Sequence, residues 1–234
     1  MQGVFITGTG TNVGKTFIAT SLARALIQRG ITVIPRKPIE SGCTRQGDEL
    51  LPQDALALKE AAGYNGALSD ICPYRFEPPI SPVRAAHLAN CILTTEQLVS
   101  ICLQGSENGF ILVEGAGGFY TPLAENGLNA DLALALQLPV LLISDDCLGS
   151  ISQVLLNAEA IQTRGLHLCG VVLNDTSGEP QEYMNNIADL REYLNCPVFA
   201  SPFSQNGKAE LPGALLDSVI SHSPLDDQQF RVAR

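Results

Sequence analysis

The sequence predicts an α/β fold: a doubly wound, mainly parallel sheet with helices on both faces. Three observations predict it. Apolar strand-like runs alternate with helical segments along the chain. Those runs are apolar throughout, as strands covered on both faces are. The first of them, Val4-Phe5-Ile6-Thr7, leads through the glycine-rich turn Gly8-Thr-Gly-Thr-Asn-Val-Gly14-Lys15-Thr16 into a helix.

In chain order, strands are expected at 3–8, 31–36, 110–114, 140–144, 168–174 and 197–200. The helix expected at 15–29 places Ile18, Leu22, Ala25 and Leu26 on one face, and Gly30 closes it. The helix at 150–164 repeats the pattern with Ile151, Val154, Leu155, Ala158 and Ile161, closed by Gly165. Further helices are expected at 53–62, 95–104, 129–137, 180–194 and 212–220. Residues 38–52 and 63–82 are rich in Gly, Pro and Ser and read as irregular, as functional loops often are. Residues 1–222 read as a single domain and 223–234 as a frayed polar tail.

Of the 234 residues, 45% are apolar, enough to bury a large core. A net charge of -10 argues against a nucleic-acid surface, though a local cluster of lysine and backbone N–H groups can still bind an anion. The seven cysteines include no CxxC pair and do not read as a disulfide framework. Cys91, Cys102 and Cys169 sit among apolar residues and read as core, and His87, His167 and His222 lack metal-ligand spacing. The chain opens on a strand and has no apolar run of membrane-spanning length, so a cytoplasmic location without signal peptide or membrane contact is expected.

The turn between first strand and first helix is of the P-loop type. Backbone N–H groups at a helix start cradle phosphate, Lys15 can reach the outer phosphates, and the Thr16 hydroxyl can ligate Mg²⁺. Its spacing is one residue longer than usual, since the standard first glycine would fall on Thr9. Lys37 leaves the second strand. A lysine there is commonly solvated, but the neighbouring phosphate motif makes it a candidate cation facing the loop. Glu114 ends an apolar strand, where an unpaired carboxylate is costly, so a Mg²⁺-linked or water-linked role is expected. Asp54 reads, from the residues alone, as a first-turn acid interacting with the helix dipole. Asn174 is open between a turn residue and an amide matched to the adenine N6/N7 edge.

Taken in order, these motifs resemble the dethiobiotin synthetase family of the P-loop NTPase superfamily. The resemblance rests on Val13-Gly14-Lys15-Thr16, Lys37-Pro38-Ile39-Glu40-Ser41-Gly42, Asp54-Ala55-Leu56-Ala57-Leu58, Val113 through Gly118 with Thr121-Pro122-Leu123, Leu148-Gly149-Ser150-Ile151 and Asn174-Asp175. It covers nearly the whole chain.

The resemblance implies an ATP-dependent cyclo-ligase of biotin biosynthesis, using ATP, CO₂ or bicarbonate and 7,8-diaminononanoate, with Mg²⁺. It implies that Lys15, Lys37 and Thr11 are catalytic and that Thr16, Asp54 and Glu114 hold the metal. Asn12, Val13, Gly14, Lys15, Thr16, Phe17, Glu114, Asn174 and Pro202 are the implied nucleotide contacts. Thr11, Lys37, Ser41, Gly149, Ser150, Ser152 and Tyr183 are the implied substrate contacts, the last four at its carboxylate tail. It also implies a homodimer with that tail near the subunit interface. The chain departs from the family pattern: Asn12 stands for Glu, Gly10 for Asp, Cys147 for Lys and Ser152 for Asn. Val83-Arg84 replaces a His-containing stretch, and Glu210 lies near a ribose-contacting Glu without clear alignment. The competing reading, a partitioning or placement ATPase acting as a nucleotide switch, expects a lysine where Gly10 stands and a membrane helix that 223–234 does not resemble.

Overall fold

Successive residues of the first strand enter opposite cores, so no position on it faces water. Val4 and Ile6 pack on one side and Phe5 on the other. The computed structural model describes residues 2–179, 182–205 and 209–221. In order the elements are β1 (Gly3–Gly8), α1 (Lys15–Gln28), β2 (Val33–Arg36), β3 (Ile39–Ser41), β4 (Thr44–Gln46), β5 (Glu49–Leu51) and α2 (Gln53–Ala61). Then come α3 (Leu68–Ile71), β6 (Tyr74–Phe76), α4 (Pro82–Leu88), α5 (Thr95–Leu103), β7 (Phe110–Gly118), β8 (Pro122–Ala124), β9 (Gly127–Leu128) and α6 (Asn129–Leu136). The chain continues through β10 (Val140–Asp145), α7 (Ser150–Thr163), β11 (Leu168–Asn174), α8 (Asn186–Tyr193), β12 (Val198–Ser201) and α9 (Gly213–Ser221).

The central sheet runs β12-β11-β10-β1-β7-β2, every pair parallel. α1, α2 and α9 cover the face of Val4, Ile6, Leu112 and Ile143. α4 through α8 cover the face of Phe5, Val113, Leu142 and Val171. Ile18, Leu22 and Leu26 of α1 are fully buried, and each such side chain contributes about 1.5–3 kcal/mol. β1 lies between β7 and β10; the connection leaving β1 leads to β2 on one side, and the connection leaving its neighbour β10 leads to β11 on the other. The loop after β1 therefore sits at the sheet's topological switch point, where doubly wound folds bind ligands.

Most of the expected elements stand within a residue or two. The stretches read as irregular do hold structure: β3 pairs with β6, β4 pairs with β5, and α3 lies between them. Three-residue strands are too short to show an apolar period. β7 runs on past Glu114 to Gly118, because Gly8 pairs with Gly118 across a register shift. Glycine is a poor strand former in isolation, and here a close neighbouring backbone decides. Helix 180–194 shortens to α8, and the expected tail 223–234 lies outside the described residues. Among the described residues no helix is long and apolar enough to cross a membrane.

Candidate active site

The carboxyl ends of β1, β2 and β7 deliver the residues of the phosphate motif and its neighbours to one place. β1 ends in Gly8, and Thr9 is pinned to β10 by its N–H donating to the Ile143 carbonyl at 2.9 Å. Asn12 is left-handed, a conformation Asn tolerates. Gly14, with φ of 93°, caps α1 without a side chain. A Cβ there would meet the Asn174 amide nitrogen at 2.2 Å, so both backbone and space require glycine. The loop exposes Thr11 and Asn12, buries Val13 and half-buries Thr16 and Phe17. Lys15 folds across it and donates from Nζ to the Gly10 carbonyl at 2.8 Å. Burial, followed by the like charge of Lys37, lowers the Lys15 ammonium to about 8.

Lys37 is the hub. Its Nζ donates to Glu114 Oε1 at 2.6 Å, Asp54 Oδ2 at 2.9 Å and the Gly115 carbonyl at 3.2 Å. Burial works against its charge, but Glu114, Asp54 and Glu40 outweigh burial and hold the ammonium protonated above its ordinary range. Thr16 donates to the same Glu114 Oε1 at 2.8 Å. Burial pushes the Glu114 carboxyl up, with Lys37 pulling it back. At Asp54 burial is overcome by Lys37, and the carboxyl stays below its usual value. Lys15, Thr16, Lys37, Asp54 and Glu114, scattered over a hundred residues of sequence, thus form one cluster.

The cluster fits a magnesium ion. Thr16, Asp54 and Glu114 offer hard oxygen donors. Glu114 Oε2 is buried without a hydrogen-bond partner among the described residues, a costly arrangement that a cation would relieve.

Asn174 ends β11 behind the loop. Its amide donates to the Val13 carbonyl at 3.2 Å and accepts from the Ser201 hydroxyl at 3.0 Å. An amide has two donors and two lone pairs, so one of each is left for a ligand. Pro202 follows Ser201 on the exposed rim of β12. Ser41, at the end of β3, donates its hydroxyl to the Ile80 carbonyl at 2.7 Å and keeps its acceptor capacity.

The expected tail contacts lie elsewhere, at the start of α7 and in the segment before α8. The Ser150 hydroxyl donates to the Asp145 carbonyl at 2.5 Å and accepts from the Cys147 N–H at 3.0 Å. Its own N–H donates to the Cys147 carbonyl at 3.1 Å, so Ser150 holds the turn, and the exposed Gly149 is the more open of the two backbone positions. Ser152 is exposed and Tyr183 is 96% exposed with positive φ. One chain does not bring these two into the Lys37 cluster.

Sequence reasoning passed over Glu40. Its carboxylate accepts the N–H groups of Asp54 and Ala55 at 3.1 and 3.0 Å, and burial raises it to about 7. Its strand, Ile39-Glu40-Ser41, is too short and too polar to have signalled that the acid is buried. Ser201 was missed as well, and no sequence pattern marks it.

This sheet order with a phosphate loop after the strand at the switch point defines a P-loop nucleotide-binding protein. The family described as an AAA domain matches residues 2–202. The septum site-determining protein MinD of Pyrococcus horikoshii, solved with Mg-ADP, superimposes with a TM-score of 0.58 at 14% identity, over 94% of this chain and 95% of that one. The signal recognition particle receptor FtsY of Elizabethkingia anophelis gives a TM-score of 0.56 at 13% identity, over 95% of this chain and 64% of that one. Likeness at that identity concerns the fold.

Sequence relatives are more specific. The ATP-dependent dethiobiotin synthetase BioD of Ruthia magnifica is 36% identical over 206 residues, 88% of this chain and 92% of that protein. The one from Anaeromyxobacter sp. strain K is 39% identical over 225 residues, 94% and 99%. The chain belongs to the ATP-dependent dethiobiotin synthetase family, whose members are ATP-using ligases.

Proposed function

We propose that this enzyme converts 7,8-diaminononanoate, CO₂ and ATP into dethiobiotin, ADP and phosphate, the ring-closing reaction of biotin biosynthesis. The observation that carries the reading is the meeting of Lys15 and Lys37 with Thr16, Asp54 and Glu114 beside one phosphate loop. One substrate amine takes up CO₂ as a carbamate. The carbamate oxygen attacks the γ-phosphorus of ATP, ADP leaves, and a carbamic-phosphoric anhydride forms. The second amine attacks the carbamate carbon, loses a proton, and expels phosphate as the five-membered urea closes.

Phosphoryl transfer to an anion brings negative charges together, so charge neutralisation and positioning dominate catalysis. Lys15 neutralises the transferring phosphoryl group. Lys37, kept charged by its carboxylates, holds the carbamate and stabilises charge as it develops. Thr11 and Ser41 hydrogen-bond the carbamate and substrate nitrogen. Thr16, Asp54 and Glu114 would hold Mg²⁺, which supplies charge neutralisation at the phosphate oxygens. In this reading Val13, Gly14 and Phe17 belong to the phosphate loop, and Asn174 and Pro202 meet the base.

The second copy of a homodimer completes the tail site in this reading. Leu148 is 90% exposed, and Leu156 lies one helical turn beyond Ser152 on α7, also exposed. Asn186 ties the segment carrying Tyr183 to the loop before α7 through Asp146 and Cys147. Apolar side chains gathered around a polar tail contact suit a covered surface.

The test is mass spectrometry of the cyclic urea after incubation with ATP, bicarbonate, diaminononanoate and Mg²⁺. Dethiobiotin and ADP are expected in equal amounts, and only when all four are present. ATP hydrolysis indifferent to the diamine would overturn the reading in favour of a nucleotide switch.

A further inference from the structure

One side chain joins the end of β3 to the start of α2, and the reaction scheme leaves it without a part. Glu40 is 5% exposed, and its two oxygens separately accept the N–H groups of Asp54 and Ala55. α2 needs this help. Its N-cap is Pro52, which has no side-chain oxygen for the first-turn donors.

Asp54 is the second residue of α2. An aspartate in a first turn ordinarily interacts with the free N–H groups around it. Here Glu40 already occupies those donors, and the Asp54 carboxylate extends to Lys37 Nζ at 2.9 Å. The Asp54 side chain is 38% exposed, so packing alone does not fix its direction.

We propose that Glu40 is a positioning residue: by capping α2 from the neighbouring strand, it releases Asp54 from capping and aims its carboxylate at Lys37 and the magnesium site. The inference deepens the proposed function and rests on it for the metal's use in turnover. Glu40 touches no reacting atom. Without it, Asp54 turns back to its own helix start, and the metal site loses a donor.

The experiment measures Mg²⁺ binding by calorimetry to protein saturated with a non-hydrolysable ATP analogue. It compares the parent, Glu40→Gln, Asp54→Asn and the double variant, with melting temperatures alongside. Gln keeps the size of Glu but turns an NH₂ group toward a backbone N–H. Glu40→Asp, one methylene too short to span both donors, is the second variant, and the same loss is expected of it. Mg²⁺ affinity is expected to fall about tenfold in Glu40→Gln, the scale of a lost charge-assisted hydrogen bond. It should fall no further when Glu40→Gln is added to Asp54→Asn, because the two act through one carboxylate.

A merely structural cap would lower the melting temperature and leave Mg²⁺ affinity unmoved. That outcome, an equal loss in both backgrounds, or a parent protein that binds no Mg²⁺ overturns the proposal. Binding is read without turnover. A parent that binds Mg²⁺ with the analogue but makes no cyclic urea refutes the proposed reaction and leaves the Glu40 result standing.

Discussion

At the phosphate end of the site, Lys15, Lys37 and Glu114 lie below the surface, and every one of them is bonded to another part of the site or its loop. At the α7 end, Leu148, Ser152 and Tyr183 stand in solvent. The first region is finished within one chain. The second offers side chains that stand exposed among the described residues. The contrast teaches where geometry must be set in advance. Charge transfer needs fixed donors in a dry site, whereas the far end of a flexible substrate needs only a surface that closes over it.

The largest effect should come from the hub. Lys37→Ala is expected to lower dethiobiotin formation by about a thousandfold or more, measured by mass spectrometry, while ADP still binds. Retained turnover would remove the distinction between the two ends, since the buried cluster would then be scaffolding. Next comes the loop. Gly14→Ala forces a left-handed alanine against Asn174, at a cost of about 1–3 kcal/mol. A nucleotide affinity weaker by about ten- to a hundredfold is expected by calorimetry.

The pH dependence of ADP binding sharpens the comparison further. Lys15 titrates near 8 in the free protein, held down by burial. A bound phosphate favours its charged form, so above that pH binding must take up a proton. Metal-free ADP affinity should therefore fall with rising pH, by about tenfold between pH 7 and 9. A flat profile would mean that Lys15 is charged throughout. The smallest effect on folding is expected at the open end. Leu148→Asp should change stability by no more than about 0.5 kcal/mol in thermal melts, yet convert a dimer to monomers in sedimentation. A dimer that survives the aspartate places the subunit contact elsewhere.

Much of the phosphate end is legible in the sequence. Gly14-Lys15-Thr16 announces itself because backbone geometry and charge are demanded in consecutive positions. Lys37 and Glu114 are legible because each stands where an apolar run of sequence stops, and the strands of one parallel sheet deliver their carboxyl ends to one edge. Asp54 was not legible from its own surroundings. As a first-turn acid it looks like any helix-dipole partner, and the difference lies in Glu40, fourteen residues earlier and on another element. β3 to β6 escaped for a related reason: β3 pairs with the distant β6, β4 and β5 form a short hairpin, and none of these three-residue segments has a period of its own. At the α7 end, Ser152 and Tyr183 are exposed, and an exposed polar side chain leaves no apolar pattern in the sequence.

Asn174 is bonded at once to the Val13 carbonyl of the phosphate loop and to Ser201 on the outermost strand. Any purine read by that amide is therefore read through the shape of the turn holding its own phosphates. Selectivity for the base and grip on the tail of the nucleotide become a single property: a change that loosens the turn should blur the preference for adenine over guanine even when no residue near the ring has been altered.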